Sequence, residues 1–135
     1  MLAGIRFTND NYKMVSSDGG GQVERKRLYT NPDTTVEMTG DAIFNVPDSD
    51  GYTHLSFIVT STDGAFEVEE ICELAPLKTN DGQFAISIPI AGVIYCRKVY
   101  RTAGTVKPSV NVYELGKTTG DRNYCIIKSV EAIKF

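Results

Sequence analysis

The stretch Tyr52–Ser61, YTHLSFIVTS, decides how the rest of the chain is read. Leu55, Phe57 and Val59 alternate with Ser56, Ile58 and Thr60. A period of two turns one set of side chains toward a core and the other away from it, and the β-branched and aromatic residues here suit a pleated surface. The stretch contains no Asp, Glu, Lys, Arg or Pro. Such a strand belongs in the middle of a sheet or against a partner chain, because an exposed apolar edge invites aggregation.

The same pattern repeats on either side. Toward the N-terminus, Pro47-Asp48-Ser49-Asp50-Gly51 is a turn-rich loop, preceded by strands at Ala42–Val46 and Val36–Met38 with Gly40-Asp41 between them. Arg27–Thr30 is a strand that stops at Asn31-Pro32-Asp33, where proline biases its predecessor away from helix. Ser16–Gln22, SSDGGGQ, is expected to be a flexible loop, since three consecutive glycines cost much entropy to order. It sets a short strand near Ala3–Thr8 apart, so residues 1–22 form an N-terminal piece and 23–135 the main domain. Toward the C-terminus, Asp63-Gly64 is a hairpin turn and Phe66–Leu74, FEVEEICEL, reads as a strand, although Glu69–Leu74 has the look of a helical turn. Asn80-Asp81-Gly82 turns the chain into a strand in which Phe84, Ile86 and Ile88 alternate, interrupted by Pro89 and Gly92. Val93–Arg101, Ser109–Leu115 and Tyr124–Phe135 complete the set. No segment keeps a 3.6-residue apolar period over three turns. The expected fold is all-β: an antiparallel sandwich or jelly roll of about eight to ten strands.

A chain of 135 residues, 41% apolar, suits one ordinary domain. A formal charge of −3 with both signs interspersed exerts no long-range pull on nucleic acid or on anionic membranes. Arg25-Lys26-Arg27, beside Glu24, reads as a solvated strand entrance. The opening MLAGIRFTND lacks the pattern of a secretory signal, and no apolar run approaches the roughly 20 residues of a bilayer span, so a soluble protein made in the cytoplasm is expected. Cys72, Cys96 and Cys125 lie in separate apolar runs with no C-x-x-C pair, the pattern of buried, reduced thiols.

Chemistry is sparse. The lone histidine, His54, has no nucleophile motif to serve. Glu67 and Glu69 share a strand face, as a glycosidase pair would, but nothing marks a cleft between them. Asp48-Ser49-Asp50-Gly51 resembles the start of a calcium loop and lacks its closing glutamate; a weak site at Asp48 and Asp50 stays open. Gly19-Gly20-Gly21 has no Lys-Ser/Thr after it. The reading is therefore a non-enzyme with no cofactor and no metal site. What remains is aromatic surface: Tyr95, Tyr100 and Tyr113, with Asn111 on the face of Tyr113 and away from Val110 and Val112, are the candidate ligand or interface residues.

Two segments carry a resemblance. Leu28–Thr35, LYTNPDTT, resembles the LYTNPNPT-type opening of small β-rich domains in minor structural, tail-fibre-associated proteins of phages that infect Gram-positive bacteria. Asn123–Lys134, NYCIIKSVEAIK, resembles the CIPxKIYGIK-type ending of those domains, and Arg97-Lys98-Val99 falls near their R-x-V/F strand. Asp33 and Ile127 stand where asparagine and proline are usual. The resemblance implies a virion structural protein of tail or fibre that serves host adsorption or particle assembly. It would act as a homo-oligomer, a trimer in many fibres, beside other phage structural proteins and against a host cell-surface glycan. The alternative is a stand-alone carbohydrate-binding module of the same fold. The resemblance transfers no binding residue.

Overall fold

A computed structural model describes residues 11–15, 22–41, 43–47 and 51–135; of residues 11–15 and Gln22 it describes the backbone alone. Ten strands form among them: β1 (Asn11–Val15), β2 (Gln22–Thr30), β3 (Phe44–Asn45), β4 (His54–Thr60), β5 (Glu67–Glu73), β6 (Gln83–Ile90), β7 (Val93–Thr102), β8 (Thr105–Pro108), β9 (Tyr113–Glu114) and β10 (Ile126–Lys134). They build two antiparallel sheets, the all-β sandwich expected from the strand spacing. One sheet runs β1-β2-β10-β4-β5, and the other runs β3-β8-β7-β6 with β9 pairing β7 beyond the end of β8.

The apolar β4 sits between β10 and β5, in the middle of its sheet, so it needs no partner chain. Leu55, Phe57 and Val59 are fully buried and face Ile86, Ile88, Val99 and Val106 of the second sheet across the core. The ambiguous FEVEEICEL segment is strand β5, with alternating burial, and a short 3-10 helix, Ala75–Lys78, follows it. β5 is an edge, and Glu67, Glu69, Glu70 and Glu73 discourage pairing with another strand there.

Several boundaries differ from expectation. β6 runs straight through Pro89, because β6 is also an edge and its outward side needs no N–H at that position. Val36–Met38 joins no ladder, and only Phe44–Asn45 of Ala42–Val46 is a strand, with Ala42 itself outside the described residues. Of Ser109–Leu115 only Tyr113–Glu114 pairs; Val112 is buried while Val110 is exposed, so the two do not share a buried face. The N-terminal strand placed at Ala3–Thr8 and the glycine loop before Gln22 lie outside the described residues, whereas Asn11–Val15 forms a hairpin partner of β2.

The basic cluster is not a solvated entrance. Arg25 is buried, and Arg27 is half-buried. Both meet Glu131 of β10, and Arg25 also meets Glu69 at 2.8 Å. The reason is that both faces of β10 are covered: Val130 and Ala132 enter the core, while Ser129, Glu131 and Ile133, which alternate to the other face, are buried as well. A carboxylate buried there requires a cationic partner.

Candidate functional site

Asn31 is the residue from which a cleft is built. β10 bulges against β4 between Ile127 and Ser129, which leaves backbone groups there outside the ladder. The Asn31 side-chain amide donates to the Ile127 carbonyl (2.9 Å) and its backbone N–H to the Lys128 carbonyl (2.8 Å). Its side-chain oxygen accepts the Asp33 N–H, and Asp33 in turn accepts both the N–H and the hydroxyl of Thr35. Two such turns in succession give the chain a fixed exit from β2. The Thr35 hydroxyl and N–H hold the Asp33 carboxyl below its ordinary pKa.

The chain then returns through Gly40, whose φ of +80° and close approach to Val110 suit glycine: a Cβ there would lie 2.6 Å from the Val110 side chain. Between the exit and the return opens a cavity of about 230 Å³. Its lining includes Tyr29 at the end of β2, the apolar Pro32, Val36, Met38 and Ile43, and the acidic Asp33, Glu37 and Asp41. Tyr29 packs partly on the core. Burial, and then the Asp41 carboxylate, push its hydroxyl above its ordinary pKa, so it stays a neutral donor. An aromatic ring, apolar walls and carboxylate acceptors form the kind of lining that takes a small polar organic ligand.

The residues proposed from sequence lie elsewhere. Tyr95 alternates with Arg97 and Val99 toward the core, and its ring sits 4.5 Å from that of Tyr124. Tyr113 pairs with Cys96 on the opposite face of β7, and the alternation puts Tyr100 on that face too. Asn111 is exposed and accepts from Arg122 at 2.7 Å. The structure brings Tyr113 to the outer face with Tyr100 and turns Tyr95 away from both. Beside Tyr113, Ile94 and Leu115 are 40% and 64% exposed, joined by the Leu115 N–H bond to the Ile94 carbonyl.

The remaining sequence candidates are held by neighbours. Glu67 pairs with Lys128 at 2.8 Å. Burial pushes the Glu69 carboxyl up, but the Ser56 hydroxyl and Arg25 together bring it below its ordinary pKa. His54 meets Phe135 edge to face at 4.8 Å. Asp48 and Asp50 lie outside the described residues. All three cysteines are free; Cys96 and Cys125 are buried and Cys72 is half-buried. Burial raises the thiols, Cys72 to about 11 and Cys125 to about 12.

The cleft escaped the sequence reading, and the signal that could have found it was a tyrosine placed two residues before an Asn-Pro-Asp turn. The segments Leu28–Thr35, Arg97–Val99 and Asn123–Lys134 meet in space. Asn31 binds Ile127 and Lys128, and the fully buried Arg97 donates from Nε to the Cys125 carbonyl (2.8 Å) and from Nη1 to the Ser109 carbonyl (2.5 Å). Compared with protein families, curated proteins and solved structures, the chain matches none.

Proposed function

We propose that this domain is a non-enzymatic structural module of a phage tail or fibre, serving host adsorption or particle assembly and located in the virion. The observation that carries the reading is the convergence just described. The segments that resemble tail-fibre-associated domains are scattered over the sequence, yet they close on one another through Asn31 and Arg97. One of them also frames the cleft. Segments that fix a fold and shape a ligand-sized cavity together are what a receptor-contacting module needs, because a rigid scaffold lowers the entropic cost of binding. Self-assembly into a homo-oligomer is part of the proposal. Ile94 and Leu115, exposed beside the face of Tyr113, offer apolar surface that closed symmetry would bury.

The test is competition. Purified protein added to host cells before the phage should reduce adsorption in a dose-dependent way, and a Tyr29→Ala protein should reduce it less. Adsorption that is indifferent to saturating protein would sink the adsorption role and leave assembly alone.

The stand-alone carbohydrate-binding module remains the second reading. It is favoured by the Tyr29 ring set among carboxylates in the cleft. It predicts glycan binding by a monomer with no particle attached.

A further inference from the structure

We propose that Tyr95 and Tyr124 form an oxidative crosslinking site, at which a one-electron oxidant joins the two rings as dityrosine within a single chain. It stands apart from both the virion reading and the cleft.

The two rings stand 4.5 Å apart, centre to centre, with their planes tilted by 44°. Both side chains are half-buried, packed on the core and still reached by solvent. The backbone under each ring is fixed. Tyr95 lies within β7, paired with Ile88 of β6 and with Glu114 of β9. Tyr124 closes a turn in which the Asp121 carboxylate accepts the Asn123 N–H (2.9 Å) and the Asp121 carbonyl accepts the Tyr124 N–H (3.2 Å). The next residue, Cys125, has a positive φ of 56°, and its carbonyl accepts from Arg97 (2.8 Å), which follows Tyr95 by two positions in β7. Two rings anchored in this way meet at high effective concentration, and the folding of the chain has already met the entropic cost of bringing them together.

The surroundings suit oxidation of a phenol. The chain has no tryptophan to compete for the oxidant. Burial raises the Cys72 thiol to about 11 and the Cys125 thiol to about 12, so neither is the reactive thiolate at neutral pH. Burial, and then the Glu114 carboxylate, hold the Tyr95 hydroxyl above its ordinary pKa, which keeps it a neutral phenol. A neutral phenol must lose a proton with its electron, and the Glu114 and Asp121 carboxylates near Tyr95 are bases that can receive it. Each ring then gives one electron to the oxidant and one phenolic proton to a base. The two radicals combine through a bond between ring carbons ortho to the hydroxyls. The hydrogens on those carbons leave as protons while the oxygens regain theirs, which restores two phenols. Hydrogen peroxide, activated by a haem peroxidase, accepts the two electrons and two protons and leaves as two molecules of water. The crosslinked chain is lighter by two hydrogen atoms. The new bond closes the chain from 95 to 124 into a loop and restrains the unfolded state as a disulfide would.

The experiment treats the dilute full chain with a haem peroxidase and hydrogen peroxide, in native buffer and in concentrated urea. Denaturing gels separate linked chains from single ones, and mass spectrometry of the digest maps the joined peptides. In native buffer the single-chain band should carry dityrosine fluorescence and yield one joined pair of peptides, holding Tyr95 and Tyr124. Urea should abolish that product, because the folded backbone is what brings the rings together. Tyr95→Phe and Tyr124→Phe keep the ring packing, and each should lose the single-chain product; Tyr100→Phe should retain it. Mapping on the parent chain decides the matter even where a variant folds poorly. Joining through other tyrosines, within or between chains, would overturn the proposal. So would an equal yield in urea, or no product under conditions that couple Nα-acetyl-tyrosine amide.

Discussion

Asn31 resolves a local problem created by the bulge in β10, since its amide satisfies a carbonyl that the β4 ladder leaves aside. Asn31→Asp keeps the shape, removes that donor and sets a carboxylate against the carbonyl. Urea denaturation should show a loss of about 2 kcal/mol, the cost of an orphaned buried group. Arg97 is the deeper case. It is fully buried, holds the Cys125 and Ser109 carbonyls, and its Nη2 has no acceptor among the described residues. Arg97→Met should cost about 3 kcal/mol, because two carbonyls lose a charged donor at once. Glu69 sets an acid limb. Its folded pKa is depressed, so its contribution is present above the ordinary value of 4.5 and fades as the pH falls through the lower folded value. Melting temperature should therefore fall less steeply below that pH in Glu69→Gln than in the parent; parallel curves would contradict the pairing with Arg25 and Ser56.

At the scale of elements, two hairpins share one device. Ala91-Gly92 joins β6 to β7 and Ala103-Gly104 joins β7 to β8, each with positive φ at both residues, the geometry of the tight turn that matches strand twist. Alanine is strained there, while asparagine tolerates the conformation. Ala103→Asn should therefore stabilise the protein by about 0.5 kcal/mol, measured as a raised urea midpoint. β4, β6, β7 and β10 were legible in sequence because each carries its apolar residues at a period of two or as one buried run. β8 was not, since Thr105–Pro108 mixes a lysine and a proline into four residues and is held by pairing with β7. Arg25 looked solvated because its local neighbours are charged, and only the cover on both faces of β10 makes it a buried partner of Glu131. The cleft was illegible for the same kind of reason. It depends on Gly40 crossing close to Val110, a contact between residues 70 positions apart that no local pattern announces.

At the scale of the whole molecule, the edges formed by β5 and β6 argue against pairing with another chain there. β5 is lined with glutamates, and Glu70 reaches over to accept the Ser87 N–H of β6 at 2.7 Å, which covers part of the second edge. For self-association through a face, the rim holding Ile94 and Leu115 is an apolar choice. Light scattering should report a trimer, three times the 14.8 kDa chain, and Leu115→Asp should return it to monomer. A monomer at every concentration would favour the stand-alone carbohydrate-binding module. The claim on which the rest depends is that this sandwich is part of a phage particle. The decisive test applies an antibody raised against the purified chain to phage particles prepared from cells that carry its gene, viewed by electron microscopy. A virion module places gold at the tail or its fibres; particles that stay unlabelled, with the antigen left in the soluble fraction, would rule that location out.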